Sequence, residues 1–233
     1  LRDVTLVDLS PFFLEQQRRA LAGHPGASFV RSDAVEYFRG RVQPVDLVIS
    51  NENIGDLRTC VDVRRDGLFE ELARGSARAE DSVVAAVAEK VARYDLDLSD
   101  APERFAFNLG AVEYLEALAP LARAVFLSEH SAEAALPPPF DGFVSPPRSD
   151  GYPRRVPLKG HDEYTIKFGH LEVVARRLGY RVERLHLMEF LDLRDDEGVR
   201  FMVRAPTIGN EVAEVIHEFY HHVAEYEAMV LTR

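Results

Sequence analysis

The sequence of 233 residues holds a single cysteine, Cys60, which leaves no partner for an internal disulfide and no thiolate cluster for a metal. A cytoplasmic, reducing setting is expected. Apolar runs of membrane-spanning length are missing, so no membrane association through a helix is expected. The first residues also lack the basic, apolar and small-residue succession of a secretion signal. Positive charge is short as well: 28 Lys and Arg stand against 39 Asp and Glu, a net charge of −11. That balance argues against a phosphate backbone as the main partner, and nucleic acid is not expected. Arg154, Arg155 and Lys159 make the best local basic patch, which reads as loop solvation. Finally, no GxGxxG turn follows the first apolar stretch, although a nucleotide-binding α/β unit normally places one between its first strand and first helix. Either the site is of another kind or the chain begins inside its fold.

What is present is a repeated strand-and-acid pattern. The stretch from Val45 to Ile49 is apolar and of strand length, and it stops in Ser50, Asn51, Glu52, Asn53 and, a little further on, Asp56. A buried parallel strand that delivers side chains to the carboxyl edge of its sheet reads this way. Two shorter copies precede it, Val4 to Val7 ending in Asp8 and Ser28 to Ser32 ending in Asp33. Between them Ser10 and Pro11 supply a helix cap and a first-turn proline, and Asp33 is placed to cap a short helix from Ala34 to Phe38. The spacing predicts a βαβαβ series in one parallel sheet, with Asp8, Asp33 and Asn51 lining one cleft at its carboxyl edge.

Downstream, the patterning predicts a strand from Thr59 to Val63, a turn over Arg64 to Gly67, and helices over 81–93 and 108–119. A strand from Arg123 to Leu127 follows, ending in Ser128, Glu129 and His130. Most prolines fall between 134 and 160, interleaved with Phe140, Phe143 and Tyr152, and this segment is expected to form a lid. After it come a helix over 169–178, a strand over 180–188 and a long helix from Pro206 to Met229. Val212, Val215, Ile216, Phe219, Val223, Tyr226 and Val230 are expected to face the core from that helix. The literal HExxH at His217, Glu218 and His221 would then lie on the exposed face, away from any site. His130 and His161 flank the lid, as solvated loop histidines or as base and substrate contacts.

The run Val4 to Pro11, Ser32-Asp33, and Ile49 to Leu57 resembles the middle of class I S-adenosylmethionine-dependent methyltransferases. More narrowly, Ser50-Asn51-Glu52 with Asp56 is similar to a segment of the MidA family, whose mitochondrial members resemble a protein arginine methyltransferase of respiratory complex I assembly. The resemblance extends through Phe107 to Leu127 and His161 to Leu178, but the family's first strand, first helix and glycine loop have no counterpart, and Glu129-His130 stand where it often has Asp-Tyr-Gly. It implies a Rossmann-like α/β fold, mostly parallel with helices on both faces, over residues 1–203, and a C-terminal helical extension over 204–233. It implies S-adenosylmethionine as cofactor, with Asp8 at the ribose, Asp33 at the adenine, Ser10 and Ala34 beside them, and Asn51 nearest the methyl group. Asn51, Glu52 and Asp56 become the catalytic set, the two acids holding a cationic acceptor, with a protein arginine as one candidate and a small molecule as another. Without the glycine loop, weak cofactor binding is expected. Rival readings are a zinc metallopeptidase using residues 217–221 and a non-catalytic assembly factor that keeps the fold. Association of two chains through the last helix is left open.

Overall fold

The chain is a mixed α/β protein, seen in a computed structural model that describes residues 2–74, 83–145, 149–158, 160–204 and 210–233. Strands β1 (Val4–Asp8) and β2 (Ala27–Arg31) are joined by helix α1 (Pro11–Ala20) and pair in parallel, from Val4 opposite Ala27 to Asp8 opposite Arg31. The expected caps are in place. Ser10 Oγ accepts the Phe13 N–H at 3.3 Å, and the Asp33 carboxylate accepts the Glu36 N–H at 3.0 Å at the start of α2 (Ala34–Arg39). Each satisfies a backbone donor that a first helical turn leaves open.

Strand β3 (Val45–Asn51) does not continue the β1–β2 ladder, which corrects the expectation of one parallel sheet. Among the described residues neither β1 nor β2 is hydrogen-bonded to β3, and a ladder needs a neighbour at hydrogen-bonding distance. The link is made by side chains instead: Phe38 of α2 meets Tyr114 edge-on at 5.9 Å. Leu47 and Ile49 of β3 remain 50% and 67% exposed while Val48 between them is buried, so only one face of this strand is covered.

The next segment contains β4 (Cys60–Arg64), α3 (Arg65–Arg74), α4 (Val83–Tyr94), β5 (Arg104–Phe107) antiparallel to β4, and α5 (Leu109–Leu118). The turn expected at Arg64 to Gly67 is the first turn of α3, anchored by the fully buried Leu68. Strand β6 (Ala122–His130) then pairs in parallel with β3, Asn51 opposite Ser128. It runs three residues beyond the expected end because β3 pairs with it as far as Ser128 and the C-terminal strand carries Glu129 and His130 along. The proline-rich segment is not a free cover: Phe140 and Tyr152 are 5% and 2% exposed, and they pack as core.

A short hairpin of β7 (Arg155–Pro157) and β8 (Asp162–Tyr164) precedes α6 (Phe168–Arg177), β9 (Arg181–His186), α7 (Leu187–Phe190), α8 (Glu197–Arg204), α9 (Glu211–Val223) and β10 (Tyr226–Thr232). The long C-terminal helix is therefore corrected: it ends at Val223, and the chain closes as a strand. β10 lies antiparallel between β6 and β9, so the four-stranded sheet runs β3-β6-β10-β9 and is mixed rather than mostly parallel. Two ladders outweigh the helix preference of Glu227, Ala228 and Met229. The division at residue 203 falls with it, since β10 sits inside the sheet that the division would exclude.

Side chains of β10 alternate between two cores. Met229 and Leu231 join the larger one under α4, α5 and α6, while Tyr226 and Ala228 join the smaller one with Met188, Val203 and Tyr220. Apolar cores thus lie on both sides of β10, while one face of β3 stays open. The predicted core stripe of α9 is corrected in part: Val223 is buried and Ile216 packs against the core as expected, but Val212, Val215 and Phe219 are 65%, 64% and 42% exposed, and Ala213 and Tyr220 are buried in their place. Packing against α8 sets the rotation, because His217 Nδ1 meets the Val203 carbonyl at 2.6 Å. Among the described residues no helix is long and apolar enough to cross a membrane.

Candidate functional site

The carboxyl ends of β3 and β6 carry the polar chemistry. Their register sets Asn51 beside Ser128, whose hydroxyl donates to Asn51 Oδ1 at 2.5 Å. The next residue, Glu52, donates its N–H to the Ser128 carbonyl at 3.0 Å and has φ +50°. A side chain in that left-handed region is held at some cost, which turns the loop sharply away from the strand. The loop then passes Gly55, whose N–H donates to Glu129 Oε2 at 3.1 Å and whose carbonyl accepts the Tyr164 N–H at 3.1 Å. A Cβ at Gly55 would lie 2.9 Å from the Tyr164 carbonyl oxygen, so only glycine fits this crossing.

Around that crossing four carboxylates gather, from Glu52, Asp56, Glu129 and Glu163. Glu129 is 1% exposed. Burial pushes its carboxyl up to about 7, against the pull of the His130 and Gly55 N–H donors and with help from the charges on Glu163 and Glu52. Glu163 is raised too, first by burial and then by Asp56, with His161 opposing. His161 Nε2 lies 3.1 Å from Asp56 Oδ1 and 3.7 Å from Glu163 Oε1.

The opposite wall comes from the C-terminal strand. Tyr226 pairs across the ladder with His130 and is buried; its hydroxyl is pushed upward by burial and then by Glu52, Glu129 and Glu163. His130 is held down to about 4 by burial, then by His222 and Arg154. Glu225 sits alongside, ion-paired with Arg154. The arrangement is an acidic, partly buried cluster able to hold a cation and to accept a proton at Glu129.

Of the residues read from sequence, Asn51, Glu52 and Asp56 meet here, with His130 and His161 beside them, His161 at 55% side-chain exposure. Asp8, Ser10, Asp33 and Ala34 lie at the ends of the separate β1–β2 sheet. The Asp8 carboxylate accepts the Ser10 N–H at 2.8 Å and faces Gln17 Nε2 at 3.5 Å, so it braces its own turn. Glu163, Tyr226 and His222 were missed. Tyr226 was hidden by the helix assignment, His222 comes to it only because α9 ends at Val223 and the chain turns back into β10, and Glu163 follows the proline-rich segment with no periodicity to mark it.

The HExxH takes no part. His217 and His221 lie 4.4 Å apart ring to ring, facing the end of α8 rather than solvent. Among the described residues no third His, Cys, Asp or Glu completes a metal cluster with them. The chain matches no family model and no curated protein. Fold and site define a mixed α/β protein with carboxylates and histidines clustered at its strand ends.

Proposed function

We propose that this protein is an S-adenosylmethionine-dependent methyltransferase acting on nitrogen, with a protein arginine as the candidate acceptor. In this reading the β1–β2 pair and the four-stranded sheet are parts of one Rossmann-like arrangement. The observation that carries it is the register of β3 with β6, which puts Asn51 and Glu52 at the same strand edge as Ser128 and the buried Glu129. Ligands of open α/β sheets bind outside that edge.

The donor set fits an adenosyl group. Asp8 and Asp33 each accept a backbone N–H, which leaves lone pairs for ribose hydroxyls and an adenine amine, with Ser10 and Ala34 lining the same turns. When bound, S-adenosylmethionine would supply a methyl whose bond to sulfur breaks as the acceptor nitrogen attacks it, the sulfur leaving as a neutral thioether, so neither a nucleophilic side chain nor a metal is required of the protein. What remains is orientation and proton removal. Glu52 and Asp56 grip a cationic acceptor and hold its lone pair in line, Asn51 stands nearest the transferred group, and Glu129, poised at about 7, accepts the released proton.

Calorimetry with S-adenosylmethionine on the full-length gene product, paired with transfer of a radiolabelled methyl group, tests this. The expected result is binding heat that Asp8→Ala diminishes, and transfer that Glu52→Gln lowers by about a hundredfold. Absence of heat and of transfer would overturn the reading in favour of an assembly factor that uses the fold as a docking surface.

A further inference from the structure

We propose that Asp56, His161 and Glu163 form a binding site for a divalent cation of the manganese or zinc type. One ligand atom from each lies within 4.8 Å of the other two. An imidazole nitrogen and two carboxylate oxygens, with no thiolate among them, make a donor set suited to first-row ions of intermediate softness. Among the described residues neither Lys nor Arg forms an ion pair with Asp56, Glu129 or Glu163; His161 alone bridges two of them. Nothing permanent therefore balances the charge.

The ligands are also held ready. Gly55 and Tyr164 exchange a backbone hydrogen bond at 3.1 Å, and they are the immediate neighbours of Asp56 and Glu163. His161 is fixed at the hairpin turn, its carbonyl accepting the Leu158 N–H at 3.1 Å. Pairing of Val156 with Glu163 completes the frame. An ion here would clamp the β7–β8 hairpin to the loop after β3.

A second observation points the same way. Glu129, His130 and Glu163 form an overlapping group within the same distance limit, and the Nδ1 of His130 is shielded from solvent without a hydrogen-bond partner. Buried polar atoms are ordinarily satisfied; the other ring nitrogen, Nε2, meets the Tyr226 hydroxyl at 2.8 Å, so Nδ1 is the one position of this imidazole left open to a ligand. Occupation of the first group would take Asp56 out of its proposed acceptor-holding role and leave Glu52 and Glu129 to an acceptor. The inference does not rest on the methyl-transfer reading.

The test is titration of the tag-free full chain with manganese chloride, and separately zinc chloride, by calorimetry, with electron paramagnetic resonance of the manganese. His221→Ala serves as background control for the α9 histidine pair. One equivalent is expected, tighter as pH rises because bound metal displaces protons. It should persist in His221→Ala and weaken by about tenfold or more in both His161→Ala and Glu163→Gln. Circular dichroism checks that each variant is folded, and the near-isosteric Glu163→Gln decides if His161→Ala is not. No saturable binding, or binding that Glu163→Gln leaves intact, or binding lost only in His221→Ala, overturns the proposal.

Discussion

Tyr226 and His130 face each other across the β10–β6 ladder, with the phenol oxygen 2.8 Å from His130 Nε2. The same oxygen lies 3.2 Å from His222 Nε2. A phenol has one proton to donate, so one imidazole accepts it while the other donates its own N–H to the oxygen. Tyr226→Phe keeps the ring and strips both bonds. The expected loss is about 1–3 kcal/mol, read as a lower urea midpoint at unchanged slope.

Acid should weaken the fold through His170. Burial holds this imidazole down to about 4 from an ordinary 6.5; Lys167 acts the same way, and the Asp97 carbonyl, Glu133 and Asp100 act against it. Between those two values the unfolded chain carries a proton that the folded chain does not. Stability from this group is therefore complete above 6.5 and drains away as pH falls toward 4. Urea titrations across that interval should show the decline, and His170→Gln should flatten it by an amount on the order of 1–2 kcal/mol.

Gly55→Ala tests the crossing of the loop and the hairpin. The added methyl would stand 2.9 Å from the Tyr164 carbonyl oxygen and 3.2 Å from Glu129 Cδ, and backbone has to yield. A loss of about 1–3 kcal/mol is expected from such overpacking, measured as a fall in melting temperature. Unaltered stability would mean the loop lies further from β8 than described.

The rotation of α9 is checked by a contrasting pair. Val215→Glu, on the exposed side, should change stability by no more than about 0.5 kcal/mol. Tyr220→Ala removes a 6% exposed ring that stacks near Phe140 and Phe143, at an expected cost of about 3–5 kcal/mol. Chemical denaturation of both variants would reverse in rank if the sequence-derived face were the buried one.

Local signals in the sequence carried well where one residue does one job. Ser10, Pro11 and Asp33 begin helices where cap chemistry places them, and β1, β2 and β3 fall on their apolar runs. Legibility failed where two partners compete for a segment. Tyr226 to Thr232 has an apolar content that suits a helix face as readily as a strand, and only the presence of β6 and β9 on either side decides. The α9 face failed for a related reason: Val212, Val215 and Phe219 satisfy helical spacing, but the neighbour that selects the buried side, α8, had itself no clear pattern. At the site, Asn51, Glu52 and Asp56 stood out because they interrupt an apolar strand. Glu129 and Glu163 acquire their meaning from burial and from each other, which no spacing along the chain expresses.

The place of β10 has a consequence for biogenesis. Because this strand lies between β6 and β9, β9 leaves the ribosome unpaired and waits through α7, α8 and α9 for β10, its one strand partner among the described residues. During that interval its open edges are the part of the nascent chain most in need of chaperone cover, and pairings between distant segments form slowly. A chain stopped just short of Tyr226 would keep its helices and lose the strand that welds the two cores together.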